Sequence, residues 1–275
     1  MKALARAPWG AKLGMLIVAL NLAAALLAPW LAPYGPAELG AEVWAEPSAE
    51  HPLGTDQLGR DLLSRLLHGA RLTIGVALLT TALAVGIGVP LGFAAAVVGG
   101  WVDQLLSRLA DVLMAIPTLI TALLVLAVVG TSLTALILVT AGLEAPRVFR
   151  VARALAANVA ARDYVEAARL RGERLPWLLA REVLPNAAPP LGAELGLRFC
   201  FAILFVSALS FLGLGVQPPA ADWGGMVREN APAINFGLTA PLIPAAAIAA
   251  LTLAVNLVVD GLLPAAGRRD RIGER

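Results

Sequence analysis

Between Arg71 and Asp103 the chain carries no ionisable residue, and an apolar run of that length leaves few folds open. About 20 apolar residues in a helix match the ~30 Å hydrocarbon core of a bilayer. In lipid the backbone must satisfy its own N–H and C=O groups, which a helix does within one segment. The run from Leu72 to Val98 is therefore predicted to be a transmembrane helix. Gly86, Gly88 and Gly92, with Pro90 between them, are expected to admit a close helix neighbour and to kink this one.

Five further runs have the same character: roughly Gly14–Leu31, Val112–Val129, Ser132–Val148, Leu191–Val216 and Leu238–Leu263. Together they predict an all-α membrane protein with six transmembrane helices. The Ser132–Val148 run is the least apolar, because Glu144 and Arg147 intrude on its end. Composition agrees, with 59% hydrophobic residues, 15% charged and a mean hydropathy of +0.79, against about 45–50% apolar in soluble domains. Lys2, Arg6 and Lys12 precede the first run as they would in a signal peptide, but five more spans follow, so a retained anchor is expected.

An even number of spans puts both termini on one face, and the cationic residues choose which. With the termini cytoplasmic, that side holds Lys2, Arg6, Lys12, Arg108, Arg147, Arg150, Arg153, Arg162, Arg169, Arg171, Arg174, Arg181, Arg268, Arg269, Arg271 and Arg275, sixteen of the 21 positive charges. The outer side holds Arg60, Arg65, Arg71 and Arg228, while Arg198 lies within a span. A net charge of only +2 gives nucleic acid no electrostatic foothold. The lone Cys200 excludes an intramolecular disulfide.

Outside the spans, three segments carry information. The first outer segment is Pro-punctuated and acidic (Pro29, Pro33, Pro36, Glu38, Glu42, Glu46, Pro47, Glu50). It is followed by Leu58, Leu62, Leu63, Leu66 and Leu67 on one helical face, which predicts a helix lying on the membrane with Asp61 and Arg65 at pairing distance. The second, Gln217–Gly237, contains Trp223, expected in the interfacial belt with Trp9, Trp30 and Trp101. The third is an arm from Glu144 to Pro190, punctuated by Pro146 and Pro176 and holding eight arginines, which reads as a cytoplasmic loop and a docking surface.

Within the arm, Asp163 is placed to cap a short helix from Tyr164, Gly172 to end it in a left-handed turn, and Leu184-Pro185-Asn186 to stop a second helix over roughly Leu175–Leu184. Ala167 and Ala168 leave a face without bulk and Glu166 adds one fixed charge, the chemistry of a knob seated in a partner's cleft.

No Gly-x-x-x-x-Gly-Lys-Ser/Thr stretch is present, so the chain has no phosphate cradle of its own and is not expected to be an enzyme. His51 and His68 lack the spacing of a metal site. Ser107, Ser132, Ser207 and Ser210 read as helix-packing or cavity-lining residues. Four polar groups remain as intramembrane candidates: Glu194 and Arg198, a same-face pair near the cytoplasmic end of the fifth span, and Asn256 and Asp260 in the sixth, with Asp260 placed to meet Arg198 or interfacial water. The docking-type arm, and the lack of inverted repeats with broken helices carrying paired ionisable groups, weigh against an ion-coupled secondary transporter.

Glu166-Ala167-Ala168, then Gly172, then Leu184-Pro185 resembles the Glu-Ala-Ala loop of bacterial ABC-importer permeases. The segments His51–Arg65, Gly99–Asp103, Ser210–Pro219 with Trp223-Gly224, and Asn256 with Asp260-Gly261-Leu262 are similar to the C-type permease of the dipeptide, oligopeptide and nickel importers. The resemblance implies an N-terminal anchor and outer segment over 1–50 and a permease domain over 51–275, in a bacterial inner membrane. It further implies a second permease subunit in a heterodimer, two ATP-binding subunits that bind ATP and Mg, and an extracytoplasmic solute-binding protein. Tyr164, Glu166, Ala167, Ala168, Gly172, Leu184 and Pro185 would then couple the ATPases to transport of di- or oligopeptides, with nickel or another small solute as alternatives.

Overall fold

The computed structural model describes residues 8–270. Its regular elements are helices, apart from one isolated bridge between Thr55 and Asp61. They are α1 (Trp9–Leu31), α2 (Leu62–Val98), α3 (Gly100–Ala115), α4 (Thr118–Val129), α5 (Leu133–Ala160) and α6 (Asp163–Leu170). Then α7 (Leu175–Trp177) runs through a π-helical turn at Leu178–Val183 into α8 (Leu184–Phe211), followed by α9 (Trp223–Asn230), a 3-10 stretch at Ala231–Phe236 and α10 (Leu242–Asp270). Among the described residues four helices are long and apolar enough to cross a membrane: α1, α2, the continuous Leu175–Phe211 helix and Leu242–Gly261 of α10. The pair α3 and α4 is a fifth if its two limbs, bent by 85°, form one span. The protein is a multi-pass membrane protein. Of the cationic ends used to orient it, Lys2, Arg6, Arg271 and Arg275 lie outside the described residues.

The main seam joins α2 to α5. A methyl group on Gly88 would come within 2.7 Å of the Ala145 carbonyl oxygen and one on Gly92 within 2.6 Å of the Phe149 oxygen, so only glycine lets the backbones approach this closely. Gly86, expected to share that task, faces open space instead. Along the same seam the hydroxyls of Thr80 and Thr140, both fully buried, lie 3.2 Å apart. α1 closes on α10 in the same way, where Gly14 lies under the Ala254 carbonyl.

The two ends of α2 are covered differently. At its N-terminal end, residues 32–61 and 217–237 fold together into a cap; at its C-terminal end, α6 and the π-helical turn form the arm. Trp223, expected at an interface with solvent and lipid, is buried in the cap, its indole N–H donating to the Leu66 carbonyl at 3.0 Å and its backbone N–H bonded to the Thr73 hydroxyl.

Several local expectations fail, each for an identifiable reason. No separate surface helix forms over Leu58–Leu67. The Asp56 carboxylate accepts from the N–H groups of Leu58 (2.8 Å) and Arg60 (3.0 Å), an Asx turn that holds the chain out of helix until Asp61 caps α2 through Ser64. Asp61 does not pair with Arg65; it bonds Ser64 and lies 3.0 Å from His51 Nδ1. The Val112–Val129 span is broken at Ile116, which is driven into the extended region by Pro117 behind it.

The arm is also shorter than the loss of hydropathy implies. Glu144 to Ala160 belongs to α5, with Pro146 buried inside it; Arg153 pairs with Asp103, Nη2 to Oδ2, at 2.6 Å, and the more exposed Arg150 lies 3.4 Å from Asp111. No helix stop occurs at Leu184-Pro185. The wider π-helical turn just before Pro185 takes up its ring and missing N–H, and Asn186 Nδ2 donates to the Glu182 carbonyl at 2.6 Å.

Candidate functional site

The arm presents one helix, α6, whose two faces do different things. Val165 and Ala168 are fully buried, Ala168 within a cluster that includes Phe93 and Val97 of α2, Ala152 and Ala156 of α5, and Leu178 and Val183 of the π-helical turn. Tyr164, Glu166, Ala167 and Leu170 face outward, Leu170 with 84% of its surface accessible. The bare face predicted from Ala167 and Ala168 is therefore Ala167 alone; Ala168 is small because it seats the helix on its own chain.

Asp163 does not cap α6. Arg162 holds the cap position without a side-chain bond, and Asp163 and Glu166 lie in the first turn, where their charge complements the helix dipole. Gly172 adopts φ +82° beyond the Arg171 cap, with its N–H on the Arg169 carbonyl at 2.9 Å and the Glu173 N–H on the Ala168 carbonyl at 3.3 Å. This is the six-to-one closure that only a left-handed residue allows cheaply. Arg169 reaches back to donate 2.7 Å to the Val97 carbonyl, one of the oxygens left over at the end of α2. Leu184 and Pro185 are exposed next to Val183, which turns inward against α6.

At the opposite end the cap is locked by buried charges in a pairing that the sequence does not announce. Asp56, with none of its surface exposed, accepts from Arg60 Nε at 2.7 Å and from Arg65. Glu229 of α9 accepts from Arg60 Nη2 at 2.7 Å and Arg65 Nη1 at 2.8 Å. Burial pushes the Asp56 carboxyl up, but the N–H groups of Arg60 and Leu58 and the Arg65 guanidinium outweigh it and hold it below the usual carboxylate range. Asn230, also fully buried, accepts from the Gln57 N–H at 3.1 Å and the Trp44 indole at 3.3 Å. Asp222, the cap of α9, goes the other way: burial raises its carboxyl despite the Gly225 N–H. The sequence signal for this lock was the Asp56, Arg60, Arg65 spacing, which sits on a turn and not on one helix.

Between the ends lies a layer of four charges. Arg198 Nε is 2.8 Å from Glu194 Oε1, with its N–H not aimed at that oxygen, and Arg198 Nη1 is 3.2 Å from Glu144 Oε2. Glu144 Oε1 takes Arg147 Nη1 at 2.8 Å, and Arg147 Nη2 bonds the Thr118 hydroxyl at the start of α4. Arg198 also stacks over the Phe201 ring at 4.9 Å. Because the helix extends back to Leu175, Glu194 and Arg198 sit well inside it and not near its N-terminal end. Asp260 is exposed on α10 and does not meet Arg198, and Asn256 is half-buried on the same helix. The bend between α3 and α4 lies beside Arg147 and its ion pair with Glu144. No cluster of three or more potential metal ligands occurs among the described residues.

Residues 88–271 match the family model described as binding-protein-dependent transport system inner membrane component. The chain is 39% identical over 260 residues to the di/tripeptide transport system permease protein DppC of Pseudomonas aeruginosa, covering 92% of this chain and 86% of that protein. It is 36% identical over 255 residues to a putative peptide transport system permease protein of Brucella suis, with 91% and 85% covered. To the dipeptide transport system permease protein DppC of Escherichia coli it is 38% identical over 260 residues, with 92% and 87% covered.

Proposed function

This chain belongs to the family of binding-protein-dependent transport system inner membrane components and is a permease subunit, and from that premise we propose that it imports di- or oligopeptides with α6 as its coupling helix. The peptide names of the relatives described above favour peptides over nickel or another small solute. The observation that carries the coupling role is the two-sidedness of α6. Its inner face is built into the α2 and α5 core, and its outer face offers Glu166, Ala167 and an almost wholly exposed Leu170 to a partner. An apolar anchor on a short helix with an adjacent charge suits a groove on another protein.

In this reading the bundle crosses the membrane six times, with α3 and α4 as one bent span and α5 as the span whose charges are paired internally. Both termini and α6 are cytoplasmic, and the cap is extracytoplasmic. Two ATPase subunits, closing on ATP, push α6 and the helices attached to it. The interface between this chain and a second permease then opens outward, and a solute-binding protein seated above delivers the peptide. ATP and Mg are held by the ATPase partners, not by this chain.

The test is reconstitution. This polypeptide alone in liposomes should neither hydrolyse ATP nor transport. With its second permease, ATPases and binding protein it should show ATP hydrolysis stimulated by the peptide-loaded binding protein. Gradient-driven uptake by this chain alone, without ATP, would sink the proposal.

A further inference from the structure

We infer that Arg147 faces the path taken by the cargo and presents its guanidinium to a cargo carboxylate, in exchange with Glu144. This rests on the peptide-permease reading above. Depth makes the first argument. α5 has 28 residues and Arg147 stands near its middle, about 21 Å from its cap-end start and about 20 Å from its arm-end finish at ~1.5 Å per residue. The side chain does not snorkel toward either end, because Thr118, the Leu143 carbonyl (3.1 Å) and Glu144 hold it at that level.

Exposure makes the second. A third of the Arg147 side chain (33%) is accessible on the surface of the chain. An arginine facing hydrocarbon at this depth costs at least ~2.5–3.5 kcal/mol, and an apolar partner surface would impose the same desolvation. The face carrying Arg147 therefore borders water, and in a permease the water at mid-membrane is the cargo path.

Pairing makes the third, and it singles out Arg147 from its neighbour. Arg198 is held between Glu194 and Glu144 and stacked on Phe201. Among the described residues Arg147 has one carboxylate partner, and Glu144 uses its other oxygen for Arg198. Arg147 can thus leave Glu144 without leaving a carboxylate unpaired. A guanidinium released in this way recognises a carboxylate through paired N–H donors, and every peptide with a free C-terminus carries one. The contact from Arg147 to Thr118, just past the break at Pro117, ties this release to the angle between α3 and α4.

Two measurements on the assembled complex test the assignment. In the first, Arg147→Cys should react with a charged, water-soluble methanethiosulfonate, and transported peptide should slow the reaction. The native chain, whose only cysteine is buried, is the blank. In the second, uptake of one peptide is compared with uptake of its C-terminally amidated form at equal occupancy of the binding protein. The paired variant Glu144→Gln/Arg147→Gln, which keeps the layer neutral, should lower the ratio of free-acid to amidated uptake about tenfold. Reaction of Arg147→Cys with a lipid-soluble maleimide alone, or an unchanged ratio in the paired variant, overturns the assignment. A native complex that imports no peptide would instead overturn the reading beneath it, and the labelling result would still stand by itself.

Discussion

Asp56→Asn is the substitution whose cost can be worked most fully. The carboxylate is completely buried and accepts four donors: the Leu58 and Arg60 N–H groups on one oxygen, Arg60 Nε and Arg65 on the other. Asparagine keeps an acceptor for the first pair but turns an NH2 group toward the two guanidinium groups, so donors face donors. Breaking a buried ion pair from one side costs roughly 3–5 kcal/mol. At about 2–4 °C per kcal/mol for a chain of this size, the unfolding midpoint in detergent should fall by roughly 6–20 °C. Trp44 and Trp223, both in the cap, should report it by fluorescence.

The effect has a pH signature. The folded carboxyl lies below its ordinary value near ~3.9. A depressed acid adds stability that is complete above the unfolded value and is lost as pH falls through the folded one. The native protein should therefore lose this contribution only in acid below about pH 4, and Asp56→Asn should lack that loss. A midpoint within about 1 °C of native at neutral pH would refute the assignment of Asp56 as the centre of the lock.

Gly172→Val forces a β-branched residue into φ +82° at a cost of about 1–2 kcal/mol; it and Leu170→Glu should reduce uptake per ATP hydrolysed in the complex while the chain still inserts. Arg198→Gln should destabilise more than Glu194→Gln, because it strips a partner from both Glu194 and Glu144, and the double variant should cost less than the sum of the two singles; strictly additive midpoints would show that the groups do not interact. Glu38→Cys, in the cap, should be labelled by an impermeant thiol reagent from outside intact cells, and protection there would reverse the proposed orientation.

The helices were legible wherever an apolar run was long and uncharged, as in α1, α2 and α10. They became illegible where polarity was internally compensated. Glu144, Arg147, Arg150 and Arg153 read as a soluble arm because a local hydropathy average sees four charges, and their partners Arg198, Asp111 and Asp103 lie on other helices. Pro117 and Pro185 show that a proline alone does not decide between a break and a continuation. The first redirects the chain by 85°, while the second is absorbed by a π-helical turn whose Val183 is buried in one cluster with Ala168 of α6. Gly172 was legible because a left-handed helix end needs glycine whatever surrounds it. The cap was not, since nothing near Asp56 in the sequence announces Glu229.

These pieces define how a push on α6 would travel. α2 is a single helix of 37 residues, about 55 Å at ~1.5 Å per residue. It is tied to the arm by Arg169 on Val97 and to the cap by Asp61, Arg65 and Trp223. Glycine contacts weld it to α5, so α2, α5, the cap and α6 form a body with two fixed ends. The bend at Pro117 and the π-helical turn at Leu178–Val183 are where regular helix is interrupted, and both lie next to that body. If α6 is the coupling helix proposed above, a stroke delivered at Glu166–Gly172 would be expressed at the cap as rigid rotation and at Arg147 as a change in the α3–α4 angle. Breaking the cap lock with Asp56→Asn should leave ATP-driven closure at the arm intact and abolish its response to the binding protein, whereas Gly172→Val should lose both; identical phenotypes would show that no such body connects the two ends.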